Sequence, residues 1–270
     1  MKNALRLSGW RGGIFARVGQ WLAFFLTTMA LAAQTLPPLY PEGPEAGRDL
    51  ARQLRDLQPE ENSEWRGTLK VRPKGGQPTG TPVKCQVVRG EGEWRVVYTT
   101  AATELRGAEQ LSVLHSTNAP NQYLYARAAT PTGTNGQPET LTGAAAEVPL
   151  AGSDFWLAEL GMEFYHWPGQ TRRKGEMRRG QPCYVLESVN PTAAAGHLAR
   201  VVTYIEKESG QPILAEAYRA GDRKMFKEFS LGKVSKVNGR WVVKNLEITN
   251  RETGSKTWLE FDTGSAAETP

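Results

Sequence analysis

Between Glu64 and Phe261 the chain alternates apolar and polar residues with a period of two. In "EWRGTLKVR", Trp65, Gly67, Leu69 and Val71 fall on one face, and Arg66, Thr68, Lys70 and Arg72 on the other. "PVKCQVV" sets Val83, Cys85 and Val87 against Lys84 and Gln86, and "EWRVVYTT" sets Trp94, Val96 and Tyr98 against Arg95, Val97 and Thr99. One apolar and one polar face is the pattern of an antiparallel sheet covered on a single side. "QLSVLHST" and "QYLYARA" continue it, joined by "NAPN". After residue 160 come "EFYHWPG", "PCYVLESVN", "ARVVTYIEKES", "PILAEAYRA", "KMFKEFSLGKVSKVNG", "RWVVKNLEITN" and "SKTWLEF", separated by "SGQP", "AGD", "NGR" and "ETG". About eleven short strands at regular spacing predict one large antiparallel sheet, sandwich or barrel.

Two stretches follow a helical period instead. In 45–62, Ala46, Leu50, Leu54 and Leu57 form a stripe that must pack on something, and Pro59 ends it. "GSDFWLAELGMEFYHWPG", 152–169, holds Phe155, Trp156, Leu157, Leu160, Met162, Phe164 and Trp167. It predicts a short helix capped by Ser153 or Asp154 and closed by Gly161, too short to stand alone in water. It is either an ordinary core helix or a plug against a concave sheet. Residues 129–146, rich in Gly, Pro, Thr and Ala, read as a long insertion.

The N-terminal end changes the charge picture. Lys2, Arg6, Arg11 and Arg17 precede an apolar run from Trp21 to Ala33, and Ala30-Leu31-Ala32 has the small-x-small form of a signal-peptidase site. The alternative, a membrane anchor, needs roughly 20 apolar residues, and this run meets Gln20 and Arg17 upstream. Residues 1–33 are expected to be a cleavable signal peptide, 34–44 ("QTLPPLYPEGP") a proline-rich leader, and 45–265 one open β-barrel domain. No Cys follows the expected cleavage site, so a soluble periplasmic product is expected. Of 33 Lys plus Arg, four lie in the signal, which leaves 29 against 28 Asp plus Glu. A near-neutral chain gives no electrostatic reason to bind nucleic acid.

Candidate chemistry is sparse. Cys85 and Cys183 are equally consistent with a disulfide or two buried thiols. His115, His166 and His197 lack ligand spacing, and no nucleophile elbow, phosphate loop or zinc motif is present. No cofactor is expected. Asp154 and Glu159 read as a helix cap and a surface residue, or alternatively as residues facing a cavity. "TRRKGEMRRG" clusters Arg172, Arg173, Lys174, Arg178 and Arg179 in a hairpin, either a patch for an anionic partner or a solvated tip.

With two helices to cover so many strands, a curled sheet leaves a partly open barrel with an apolar lumen. Each buried methylene is worth roughly 0.8 kcal/mol, so an acyl chain needs no polar contact to be held there. The expected lining is Trp65, Leu69, Val71, Val83, Val87, Trp94, Val96 and Tyr98, with Leu54, Leu57, Phe155, Trp156 and Leu160 from the helices.

"GSDFWLAEL", "QPCYVLESV", "VVTYIEKESGQPILAEAYRAGDRKMFKEF" and "RWVVKNLEITNRETGSKTWLEF" resemble, in that order, outer-membrane lipoprotein-sorting (LolA-like) proteins. The resemblance covers 150–262, and 45–128 match in element order. It implies an unclosed antiparallel β-barrel with helices plugging the open side, and a periplasmic role in handling lipids or lipidated proteins. The family's lipid-anchored receptor carries a lipobox cysteine that this chain lacks, so a soluble shuttle fits better. No family residue role maps onto a position here. The expectation is a monomeric, non-enzymatic carrier of acyl chains or lipoproteins, with an envelope membrane protein as a further partner. The alternative is an envelope binding or scaffold module that uses the basic hairpin.

Overall fold

A computed structural model describes residues 42–262 except 60, 117–118, 131, 134–135, 233, 238–239 and 244, and the backbone alone over 234–237 and 240–243. The expected signal peptide and nearly all of the leader lie outside the described residues.

The chain begins with helix α1 (Pro44–Arg55). Strands β1 (Ser63–Arg72), β2 (Thr79–Arg89), β3 (Glu93–Thr100), β4 (Glu109–Ser116), β5 (Gln122–Arg127) and β6 (Glu139–Leu141) follow. Helix α2 (Leu157–Leu160) and a 3-10 turn (Glu163–His166) interrupt the strands. Then come β7 (Gly169–Arg178), β8 (Gln181–Val189), β9 (Leu198–Glu206), β10 (Pro212–Arg219), β11 (Met225–Leu231), β12 (Val234–Val237), β13 (Arg240–Val243), β14 (Asn245–Asn250) and β15 (Lys256–Phe261).

Thirteen of these strands form one antiparallel sheet, in the order β6-β5-β4-β3-β2-β1-β15-β14-β11-β10-β9-β8-β7, and β12-β13 make a separate hairpin. The sheet therefore has two open edges, β6 and β7. Its two halves join where β15 pairs with β1, with Leu69 opposite Leu259. The fold is mainly β, a curved, open, barrel-like sheet with two helices.

The period-two faces appear as drawn from the sequence. Trp65, Leu69, Val83, Cys85, Val87, Trp94, Val96 and Tyr98 are buried on one face, and Val71 is half-buried. The buried eight belong to a continuous core that also takes Leu50 and Leu54 from α1 and Phe155, Leu157 and Leu160 from the middle segment. Cys85 and Cys183 are both buried with free thiols, and no disulfide joins them.

Several elements differ from expectation. The sheet has more strands than the eleven or so expected: 129–146 contributes β6 and a 3-10 turn (Gly143–Ala146) rather than loop alone, and Gly169–Arg178 adds β7. "EFYHWPG" is not a strand: Met162 adopts a left-handed backbone (φ 51°), and Glu163–His166 coil into the 3-10 turn. α1 ends at Arg55, before Leu57 and Pro59. The cap of α2 is Trp156, whose backbone N–H donates to Glu159 in a capping box. Asp154 instead accepts hydrogen bonds from Thr257 Oγ1 (2.8 Å) and Ser255 Oγ (2.5 Å) on the far half of the sheet.

α1 shields the β7 edge. Gly43 and Arg172 exchange backbone hydrogen bonds (2.9 and 3.0 Å), which closes an antiparallel bridge against β7. An unpaired edge is a template for association, and covering it removes that hazard. The approach requires a glycine: a Cβ on Gly47 would sit 2.5 Å from Thr171 Cα and N. Both are backbone atoms and cannot rotate away. Gly47→Ala is therefore expected to lower Tm, because overpacking costs about 1–3 kcal/mol against a propensity gain of about 1 kcal/mol. An unchanged or raised Tm would show that α1 does not pack here.

Candidate ligand-binding site

The stretch from Leu150 to Trp167 lies across the concave face without joining the sheet. Phe155, Leu157, Leu160, Met162, Phe164 and Tyr165 are buried beneath it, and polar ties from several elements hold it down. The Ala151 N–H, at a left-handed residue (φ 47°), donates to the fully buried Glu109 carboxylate (2.7 Å), which Tyr125 also contacts (2.8 Å). Asn121 Nδ2 donates to the Gly161 carbonyl (2.6 Å), and Tyr123 donates to Glu163 (3.0 Å). Gln170 bonds the carbonyls of Phe164 and Trp167 (both 2.9 Å), and Arg55 of α1 bonds that of Tyr165 (2.8 Å).

The sixth tie is ionic. Lys227 Nζ on β11 contacts both carboxylate oxygens of Glu159 (2.9 and 3.1 Å), and the Lys227 side chain is 1 % exposed. Glu159, expected on the surface or facing a cavity, is found in the second of these places: its side chain is 9% exposed and borders a cavity. Burial raises the Glu159 pKa and lowers that of Lys227, while each partner favours the other's charged form. The ammonium also lies 3.5 Å from the Trp156 ring centroid, and the Arg219 guanidinium lies 5.3 Å from the same ring.

Lys227 shares its face with Phe229 by ordinary alternation, pairing with Ala217 as Phe229 pairs with Ala215, and a bulge follows next to it. β10 and β11 pair Ala217 with Lys227 and Tyr218 with Met225, so Phe226 is an extra residue. A bulge of this kind breaks the alternation. Phe226 is buried as a result, next to the buried Lys227.

Beside this pair the core is incompletely filled. A cavity of about 30 Å³ is lined by Glu159, Met162, Phe164 and Tyr165 of the covering segment. Its other wall is Val201 and Thr203 of β9, Pro212, Leu214, Ala215 and Ala217 of β10, and Lys227 and Phe229 of β11. That space holds only a water or two. None of the thirteen residues expected as a lining borders this cavity. The structure places seven of the eight strand residues and Leu54, Phe155 and Leu160 in the packed core, with Leu57 and Trp156 packed at its margin and Val71 half-buried outside it. Of the residues that do border the cavity, Lys227 and Phe229 share one period-two face in the sequence.

The basic cluster lies on the β7-β8 hairpin, where Arg179 and Gly180 (φ 51° and 79°) make the turn. Its charges are largely engaged within the chain. Arg173 and Arg200 share Glu187 (2.5 and 3.3 Å), and Arg178 pairs with Glu176 (2.9 Å) and stacks over Tyr204. Arg172 lies over Tyr184, Arg179 donates to the Leu231 carbonyl, and Lys174 is exposed. Among the described residues, no group of three or more His, Cys, Asp or Glu side chains is placed to hold a metal ion, and no helix is long and apolar enough to cross a membrane.

Glu163 marks a pH-sensitive tie. Burial raises its pKa to about 7, from 4.5, against the lowering effect of hydrogen bonds from Tyr123 and Asn121. The folded state then holds the proton more tightly than the unfolded one, so this group's contribution to stability falls as pH rises from about 4.5 to about 7. Buried His115 and half-buried His166, lowered by desolvation to about 3 and about 4, act in the opposite sense below 6.5. Glu163→Gln should therefore abolish the Glu163 contribution alone. The variant-minus-parent difference in unfolding free energy should grow from pH 5 to pH 7.5 and then level off. A flat difference would place Glu163 in water.

An open sheet curled around an apolar face, crossed by a tied-down segment with a residual cavity beneath, defines a LolA-type fold. Solved structures show the same architecture. A DUF1329 family protein from Desulfovibrio piger matches with a TM-score of 0.65 at 16% identity, over 83% of this chain and 92% of that one. A structure from Vibrio parahaemolyticus, described as an outer membrane lipoprotein-sorting protein domain, matches with a TM-score of 0.63 at 18% identity, over 83% and 95%. A LolA superfamily protein from Nitrosomonas europaea matches with a TM-score of 0.53 at 13% identity, over 84% and 95%. No curated protein matches the chain. The chain belongs to the family whose model, described as "Uncharacterized protein", matches residues 91–268.

Proposed function

We propose that this protein is a periplasmic, non-enzymatic carrier of acyl chains or acylated proteins bound for the outer membrane, seen here in a closed, nearly filled form. The carrying observation is the segment Leu150–Trp167. It buries an apolar underside against the concave face yet takes no part in the sheet, and the unfilled space lies directly beneath it. Movement of Met162, Phe164 and Tyr165 would enlarge that space. Met162 is a flexible side chain suited to repacking around different occupants.

The domain plan supports export: residues 1–33 as a signal peptide, 34–44 as a leader and 45–265 as the carrier domain. The lipoprotein-sorting description of the Vibrio structure fits the same role, as does its shared fold.

The test fills the cavity. Ala215 and Ala217 line it. Ala217→Leu adds bulk where the chain would enter, and it is expected to reduce uptake of a fluorescent fatty acid at least fivefold while the far-ultraviolet circular dichroism stays unchanged, since about three methylene equivalents are displaced. Undiminished uptake by a folded variant would put the acyl site elsewhere.

A further inference from the structure

We infer that Lys227 and its surroundings form a recognition site for the anionic head of a single-chain amphiphile, and that the Glu159 carboxylate occupies this site in the unloaded protein. The inference rests on the carrier reading and names its ligand class.

Stability alone does not explain an ammonium at this position. Lys227 is 1 % exposed, and desolvating an ion pair costs enough that apolar residues of similar volume are commonly as stable or more so. Opposite Ala217, this cation lies on the wall of an apolar cavity that the covering segment closes. A cation at that place gives the cavity a polar end.

The geometry states what that end holds. Both oxygens of one carboxylate accept from Lys227 Nζ, at 2.9 and 3.1 Å, and one of them also accepts the Trp156 N–H at 2.8 Å. The carboxylate is supplied from the covering segment, not from the sheet. Arg219 lies over the same Trp156 ring at 5.3 Å; its side chain is 25% exposed and paired with Glu252 (2.9 Å).

An incoming chain that carries its own carboxylate can replace Glu159 without leaving Lys227 unpaired. Its hydrocarbon would enter the space beneath Met162 and Phe164, while Glu159 rotates outward toward Arg219. A neutral ester cannot do this, because its insertion either leaves the buried ammonium uncompensated or must keep Glu159 in place. A charge-assisted hydrogen bond contributes about 1.5–3 kcal/mol, so the acid should bind about tenfold or more tighter than its methyl ester.

The experiment uses the full chain and three probes: palmitate, methyl palmitate and hexadecyl phosphate, each titrated by displacement of a fluorescent acyl probe. The expected result is palmitate well ahead of the ester. Because Lys227→Met alone can unfold the protein, the diagnostic variant is the double Glu159→Met, Lys227→Met, which leaves no buried charge unpaired. It should bind palmitate and the ester equally and keep the parent's affinity for the ester. Hexadecyl phosphate binding more tightly than palmitate, with the preference lost in the double variant, would support the anionic site and identify a phosphate monoester as its head group. Equal binding of acid and ester by the parent, or an acid preference that survives the double variant, would overturn the head-group site and leave the carrier reading intact. If none of the three probes binds, the carrier reading itself fails.

Discussion

Lys227→Met is expected to destabilise the protein by about 3–5 kcal/mol, the usual cost of stranding one member of a buried ion pair. Glu159 would keep its Trp156 N–H contact but lose both ammonium hydrogen bonds. Its environment already favours the protonated form, so part of the loss should be recovered at low pH as the stranded carboxylate takes up a proton. The double replacement Glu159→Met, Lys227→Met should restore most of the stability. Urea unfolding at pH 7 and pH 5 measures both. Additive losses in the double variant would show that the two side chains do not interact.

Phe155→Ala is expected to cost a similar amount, about 3–5 kcal/mol, through the lost transfer free energy and the cavity left behind. Phe155 is 1% exposed, and its ring meets Phe229 edge-on at 5.7 Å between centroids. It therefore links the covering segment to the β11 wall at the level of the existing cavity. Leu105 is the contrasting control: it is 96% exposed, and Leu105→Ala should fall within about 0.5 kcal/mol of the parent. Chemical denaturation separates the two. A loss below about 1 kcal/mol at Phe155 would mean that the segment is not packed as described.

The strand faces were legible because burial on one side writes itself into the sequence every second residue. Trp65 to Val71 and Trp94 to Tyr98 could be assigned to one face without coordinates, and the same holds for the stripe Leu50 and Leu54 on α1. The middle segment was legible only in part. Its apolar content announced burial, but the left-handed Met162 divides it into a one-turn helix and a 3-10 turn, and nothing in the run marks a non-glycine residue for that conformation.

The ion pair was hidden for a different reason. Glu159 and Lys227 are 68 positions apart, and a charge in a strand or a short helix is usually solvated. Parity groups Lys227 with Phe229, but which face of β11 is buried depends on its pairing with β10, a tertiary property. The same limit explains why the space beneath the covering segment falls on β9, β10 and β11 rather than on the first strands: alternation assigns residues to a face, but how completely that face is filled is settled by side chains from distant elements.

The central claim is that the protein carries acyl chains under the segment Leu150–Trp167. Native mass spectrometry of the protein expressed from the full chain and purified gently from an envelope extract, followed by organic extraction of the bound material, addresses it most directly. A co-purifying acylated species, displaced when Ala217→Leu fills the cavity, is the predicted result. A protein that emerges empty and also fails to take up a fatty-acid probe would contradict the account.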